Sequence, residues 1–143
     1  QIRSRYDEAA GWLDGPQIDI HPPGPWRTGM MWDETRGVQR WIFPDIPKGK
    51  WVDESLSVPA RVFRHGDDQD LWNDLEITAK GLRVEAVLNG VKITDLRGEG
   101  ILDDEAHRKR DVGVKGCIAL QIHSGDQLEI RFKDIRVRDD GGR

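Results

Sequence analysis

Gln17, Asp19 and His21 occupy alternate positions around Ile18 and Ile20. Successive side chains of an extended segment point to opposite faces, so this spacing places an amide, a carboxylate and an imidazole together. Gln121 and His123 have the same spacing within a run that carries Ile118, Leu120 and Ile122. Imidazole titrates near neutral pH and suits proton transfer, a carboxylate serves as base or metal ligand, and amides hold hydroxyl groups. Asp19, His21 and His123 are therefore the acid–base candidates, and Gln17 and Gln121 the positioning ones. Proton transfer by these groups requires no cofactor. Asp19 and His21 are also two candidate ligands for a divalent metal, fewer than the three or four protein ligands of a zinc site. A solvated outer sheet face explains the alternation at Gln17, Asp19 and His21 equally well.

The elements that must position these groups read as strands. Gln17 to His21 is short and is followed by His21-Pro22-Pro23-Gly24-Pro25-Trp26, whose prolines stop a strand ladder. Trp72 to Thr78 alternates Leu75 and Ile77 with Asp74, Glu76 and Thr78, the pattern of a half-buried strand. Leu82 to Leu88 repeats it, and Asn89-Gly90 supplies a hairpin turn into Val91 to Thr94. A further hairpin is expected from Ile118 to Ile122 through Ser124-Gly125-Asp126 into Leu128 to Phe132. Ile135 and Val137 are out of phase with Ile130 and Phe132, which predicts a bulge near Lys133-Asp134. Residues 103–111, Asp-Asp-Glu-Ala-His-Arg-Lys-Arg-Asp, are the only stretch suited to a helical turn, but with no apolar stripe they read as an exposed charged loop, and residues 139–143 as a frayed tail. Hairpins with almost no helix argue for an antiparallel sandwich, each sheet burying one face.

At 143 residues, 36% of them hydrophobic and 34% charged, the chain fits a single domain spanning 1–143 around one core. With 22 Lys and Arg against 26 Asp and Glu, the formal charge of −4 gives no overall attraction for phosphate backbones, so nucleic acid is not an expected partner. Apolar runs are too short to cross a bilayer. The single cysteine, Cys117, lies in an apolar run and reads as a buried thiol that can form no intrachain disulfide. The first residues hold no initiator Met and no signal-peptide apolar region, the look of a processed or truncated start.

Six tryptophans accompany one tyrosine. Trp26 and Trp32 flank Thr28-Gly29-Met30, where a loop would cover a ring-shaped ligand by stacking. Core or oligomer contact is the alternative for each of them. Arg3 and Arg5 share a strand face and would hold hydroxyls or carboxylates, or simply be solvated. Asp74 and Glu76 alternate as an acid and a nucleophile would, but Thr78 stands where a third carboxylate is needed, so a surface strand face is the better reading. There is no Gly-rich phosphate loop, no cysteine metal spacing and no Gly-x-Ser-x-Gly elbow.

The run Gly116-Cys117-Ile118-Ala119-Leu120-Gln121-Ile122-His123-Ser124-Gly125, closing with Ile130-Arg131-Phe132-Lys133-Asp134-Ile135-Arg136-Val137, resembles the C-terminal signature of the 3-keto-disaccharide hydrolase family. Gln1-Ile2-Arg3-Ser4, Trp72-Asn73-Asp74-Leu75-Glu76-Ile77 and Leu88-Asn89-Gly90 occur upstream in that family's order. The resemblance implies an all-β, concanavalin A-like jelly-roll sandwich of two antiparallel sheets that acts on sugars oxidised to a ketone at carbon 3. It tilts Gln121 and His123 toward the sugar-facing side. Family members carry several strands before the segment matching Gln1-Ile2-Arg3, so the sandwich is expected to be incomplete at its N-terminal side. An open sheet edge invites pairing with another chain, and a homo-oligomer or a partner chain supplying strands is the corresponding expectation. Family members are commonly exported, which implies a periplasmic or secreted location.

A ketone at carbon 3 acidifies the carbon 2 proton. A base removes it, the oxygen on carbon 1 leaves by elimination, and water adds back. Asp19, His21 and His123 are the acid–base residues on this reading, with Gln17, Gln121, Arg3, Trp26 and Trp32 binding sugar. The alternative is a non-catalytic glycan-binding or assembly subunit of the same fold.

Overall fold

The computed structural model describes residues 1–66, 71–123 and 125–139. Its strands form three antiparallel sheets: β1 (Arg5–Asp7) with β2 (Trp12–Asp14), β3 (Pro16–Ile18) with β4 (Met31–Asp33) and β5 (Arg40–Phe43), and β6 (Leu75–Lys80) with β7 (Arg83–Leu88) and β8 (Val91–Arg97). The two three-stranded sheets face each other across the core. Met31 and Ile42 from one meet Val84, Ala86 and Leu96 from the other, with Ile2, Ile18 and Leu102 closing the cluster. A second cluster joins Met30, Trp41, Ile46, Val52, Ala60, Leu88 and Ile93. Full burial of each large aliphatic side chain stabilises by about 1.5–3 kcal/mol, and the alternation of β7, with Val84, Ala86 and Leu88 all buried, spends one whole strand face on this layer.

The Asn89-Gly90 turn is formed as expected. Both residues take positive φ, 49° and 82°, the backbone that a two-residue hairpin of this twist demands. Asn89 also ties the turn down, donating from Nδ2 to Val62 O and Asn73 Oδ1 at 2.8 Å while its Oδ1 accepts from Asp74 N at 2.9 Å. Gly29 is the other position where a side chain is excluded. It has φ of 91°, and a Cβ there would lie 2.9 Å from Ile93 Cγ1. The close approach lets Thr94 Oγ1 donate to Gly29 O at 2.7 Å, locking the loop before β4 onto β8.

Four expectations are corrected. Residues 103–111 are not a free loop: they contain α1 (Glu105–Arg110), capped by Asp104, and His107 on it is fully buried. Asp33 and Thr35 supply the missing reason, because they give the imidazole partners in the interior. Nε2 of His107 lies 2.9 Å from Asp33 Oδ2 and 3.3 Å from Thr35 Oγ1, and Nδ1 lies 2.7 Å from Asp104 Oδ1. Cys117 is exposed, its thiol donating to Ser4 O at 3.1 Å. Ile77 on β6 is exposed too, and that strand offers only Leu75 to the core. The limbs 118–122 and 128–132 belong to no strand among the described residues, and Ile118, Leu120 and Ile122 stand more than 60% exposed. Alternation says which side chains share a face, whereas a strand also needs a bonded neighbour. The first limb finds one in the chain start: Ser4 and Cys117 exchange backbone hydrogen bonds of 3.1 and 2.8 Å, and Gln1 and Ala119 do so at 2.7 and 3.0 Å. Asp134 takes φ of 53° where the change of phase was read. Ser124 and the tail at 140–143 lie outside the described residues.

Candidate active site

Gln17, Asp19 and His21 line one cavity of about 170 Å³, and Gln121 and His123 line the same cavity. The first three come from β3 and its extension. Asp19 N donates to Met30 O and Gly29 N to Asp19 O, both at 2.9 Å, so the β3–β4 pairing continues past Ile18 and keeps the three polar side chains in phase. Ile18 points the other way into the core. Thr28, itself buried, fixes the His21 backbone: its hydroxyl accepts from His21 N and donates to His21 O, each at 3.0 Å. Ile20, Leu120, Ile122, Leu128, Ile130 and Phe132 add apolar surface to the same lining.

His21 Nδ1 lies 2.6 Å from Pro22 O. A carbonyl oxygen only accepts, so this contact places the proton of the neutral ring on Nδ1 and leaves the Nε2 lone pair as a base. Asp19 is engaged by Arg27, whose Nε donates to Oδ2 at 2.6 Å. Arg27 is the site residue that the sequence reading missed. It follows a proline-rich loop without periodicity, and its one signal was a cation eight residues from a candidate carboxylate. Gln1 is the second addition: its Nε2 donates to Gln121 Oε1 at 2.6 Å and so orients that amide. Oε1 of Gln1 and Oε1 of Gln17 are buried acceptors with no partner, a costly state for a polar atom.

Three expected sugar-binding residues stand outside the lining. Arg3 spends its guanidinium on the backbone carbonyls of Ala79, Gly81 and Gly113, and burial lowers its pKa. Trp26 packs on the second core cluster. Trp32 is the register partner of Gln17 across β3 and β4, which puts it on the cavity's sheet face but beside the lining. Asp19 and His21 bring only two donor side chains, one of them already neutralised by Arg27. Among the described residues no group of three or more His, Cys, Asp or Glu is placed to hold a metal ion, so the donor set does not fit one here. A wider, shallow hollow of about 380 Å³ beside β5 and β8 is lined by Phe43, Asp45, Arg83 and Asp95, whose charges are already paired, Arg83 to Asp95 at 2.9 Å and Asp45 to Arg40 at 2.6 Å.

A family profile described as the 3-keto-alpha-glucoside-1,2-lyase-like domain matches residues 1–138. The chain belongs to this family. As in that family, the fold is a concanavalin A-like sandwich, here almost wholly β with one lone α-helix among the described residues. No curated protein and no solved structure matches the chain. Among the described residues no helix of this 3-keto-alpha-glucoside-1,2-lyase-like domain is long and apolar enough to cross a membrane.

Proposed function

We propose that the chain cleaves 3-keto-glycosides by elimination across carbons 1 and 2, followed by hydration. The observation that carries this reading is the convergence of Gln17, Asp19, His21, Gln121 and His123, from two distant segments, on one cavity in a domain of this family. An imidazole takes the carbon 2 proton, His21 Nε2 having the free lone pair. Electrons move onto the carbon 3 oxygen as enolate, beside the Arg27 cation. When the enolate collapses, the carbon 1–oxygen bond breaks and the leaving alcohol takes a proton from the second imidazole, His123. The product carries a carbon 1–carbon 2 double bond conjugated to the ketone. Water then adds its oxygen to carbon 1 and a proton returns to carbon 2, giving the free 3-keto sugar. Asp19, held by Arg27, keeps that cation at the cavity wall, and Gln17 and Gln121 hold ring hydroxyls.

The test is incubation with a 3-keto-glucoside bearing a chromophoric leaving group, with and without added divalent metal. Release by the wild type that falls about 10²–10⁴-fold in His123→Ala, the usual weight of general acid–base catalysis, supports the reading. Equal release by both proteins sinks it. A second reading, a glycan-binding subunit completed by another chain, is favoured by the exposed apolar side chains of Ile118, Leu120, Ile135 and Val137. A folded chain that binds sugar, releases no leaving group and sediments as an oligomer or with a partner is what that reading requires.

A further inference from the structure

We propose that the exposed face of Trp51 is a stacking platform for the second sugar ring of the substrate, the ring that leaves. This assignment rests on the carbohydrate reading of the cavity and adds a subsite to it. At about 170 Å³ the cavity falls below the roughly 300–1,000 Å³ of sites that enclose a drug-sized ligand, which is room for one ring of a disaccharide. The other ring must lie against the rim.

Next to Gln17 the neighbouring sheet positions are aromatic. Gln17, Trp32 and Trp41 are register partners across β3, β4 and β5, so the cavity and these indoles share a sheet face. Arg27 spans the gap, bonded to Asp19 at the cavity and standing 6.0 Å from the centre of the Trp41 ring. Trp51 lies flat on Trp32, centroids 5.5 Å apart and planes 7° from parallel, and Trp41 meets both edge-on at 75° and 73°. Trp32 is itself held, its Nε1 donating to Glu34 Oε2 at 2.6 Å.

Trp32 covers one face of Trp51, yet the residue is 64% exposed, so its other face is open. A rigid indole beside a sugar-sized cavity offers the C–H face of a pyranose a large flat contact at small cost in side-chain freedom. The sequence reading placed stacking at Trp26 and Trp32. The structure instead packs Trp26 on the core and uses Trp32 to carry Trp51.

Isothermal titration calorimetry with maltose and with methyl α-glucoside, on wild type, Trp51→Ala and Trp51→Phe, tests the platform without turnover. The wild type is expected to prefer the disaccharide. In Trp51→Ala that preference, taken as the ratio of the two Kd values, falls about five- to tenfold, the scale of one aromatic contact, and Trp51→Phe restores part of it. A wild type without the preference, or a ratio unchanged in Trp51→Ala, overturns the proposal. So does a change of oligomeric state in Trp51→Ala, which would assign the face to a second copy. Loss of disaccharide preference with leaving-group release intact removes the platform alone. Intact preference without release removes the reaction and leaves the platform standing.

Discussion

Arg27 Nε lies 2.6 Å from Asp19 Oδ2, with both side chains less than one fifth exposed. The pair sits where an enolate is proposed to form, so the cation has two duties: it neutralises a carboxylate and faces developing negative charge. Arg27→Gln keeps a donor near Asp19 but removes the charge. kcat on a 3-keto-glycoside is expected to fall about 10²-fold or more, as when a donor to a developing oxyanion is lost, with KM changing less. Steady-state kinetics checks this, and a fall confined to KM would contradict it.

Gln17 presents the opposite balance. Its buried Oε1 has no partner, and its Nε2 reaches Asp19 Oδ1 only at 3.5 Å. Gln17→Leu removes an unsatisfied acceptor, so the free protein is expected to melt at the same temperature or higher while KM for sugar rises severalfold. Calorimetric melting beside kinetics separates the two effects.

His107 predicts a pH dependence of folding. Burial pushes its pKa down, but the contacts with Asp33 and Asp104 outweigh burial and hold it above the ordinary value of 6.5. A group whose pKa is raised on folding stabilises fully below its unfolded pKa and loses that contribution as pH rises through the folded one. Stability from urea unfolding is therefore expected to fall on going from pH 6 toward alkaline pH, and this component is expected to vanish in His107→Gln. Thr35 and the two carboxylates are the polar groups facing the ring. Removing one partner of a buried pair costs about 3–5 kcal/mol, so the variant is also expected to be less stable at pH 6.

Gly29→Ala puts a methyl group 2.9 Å from Ile93 Cγ1 at a φ of 91°. A loss of about 1–3 kcal/mol is expected from the clash and the strained backbone together. Because Gly29 N donates to Asp19 O, kcat is expected to fall as well. A variant of full stability with unaltered kinetics would show that the loop before β4 tolerates displacement.

Local patterns carried the parts of this molecule that depend on neighbours in sequence. Alternation placed Gln17, Asp19 and His21 on one wall, and Asn89-Gly90 marked its hairpin, because side-chain period and turn backbone are set within a few residues. Groups defined by distant partners were not legible. His107 looked solvated until Asp33 and Thr35 met it across the fold, and Arg27 carried no periodic signal. Cys117 sat in an apolar run that the chain leaves outside. The limbs 118–122 and 128–132 have strand-like alternation yet form no strand among the described residues, since periodicity does not reveal where a strand's neighbour lies. Trp51 read like any other tryptophan until Trp32 was found beneath it.

The walls of the cavity are drawn from residues 1–27 and 119–132. A ribosome releasing this chain exposes Asp19, His21 and Arg27 long before it releases Gln121 and His123, so the emerging polypeptide holds half a site with nothing opposite. Closing so long a loop costs only about 0.6 kcal/mol more per doubling of its length, but contacts of large sequence separation form slowly. Completion of the cavity is then a late event in the life of each molecule, timed by the docking of residues 117–119 onto residues 1–4 rather than by the formation of the core.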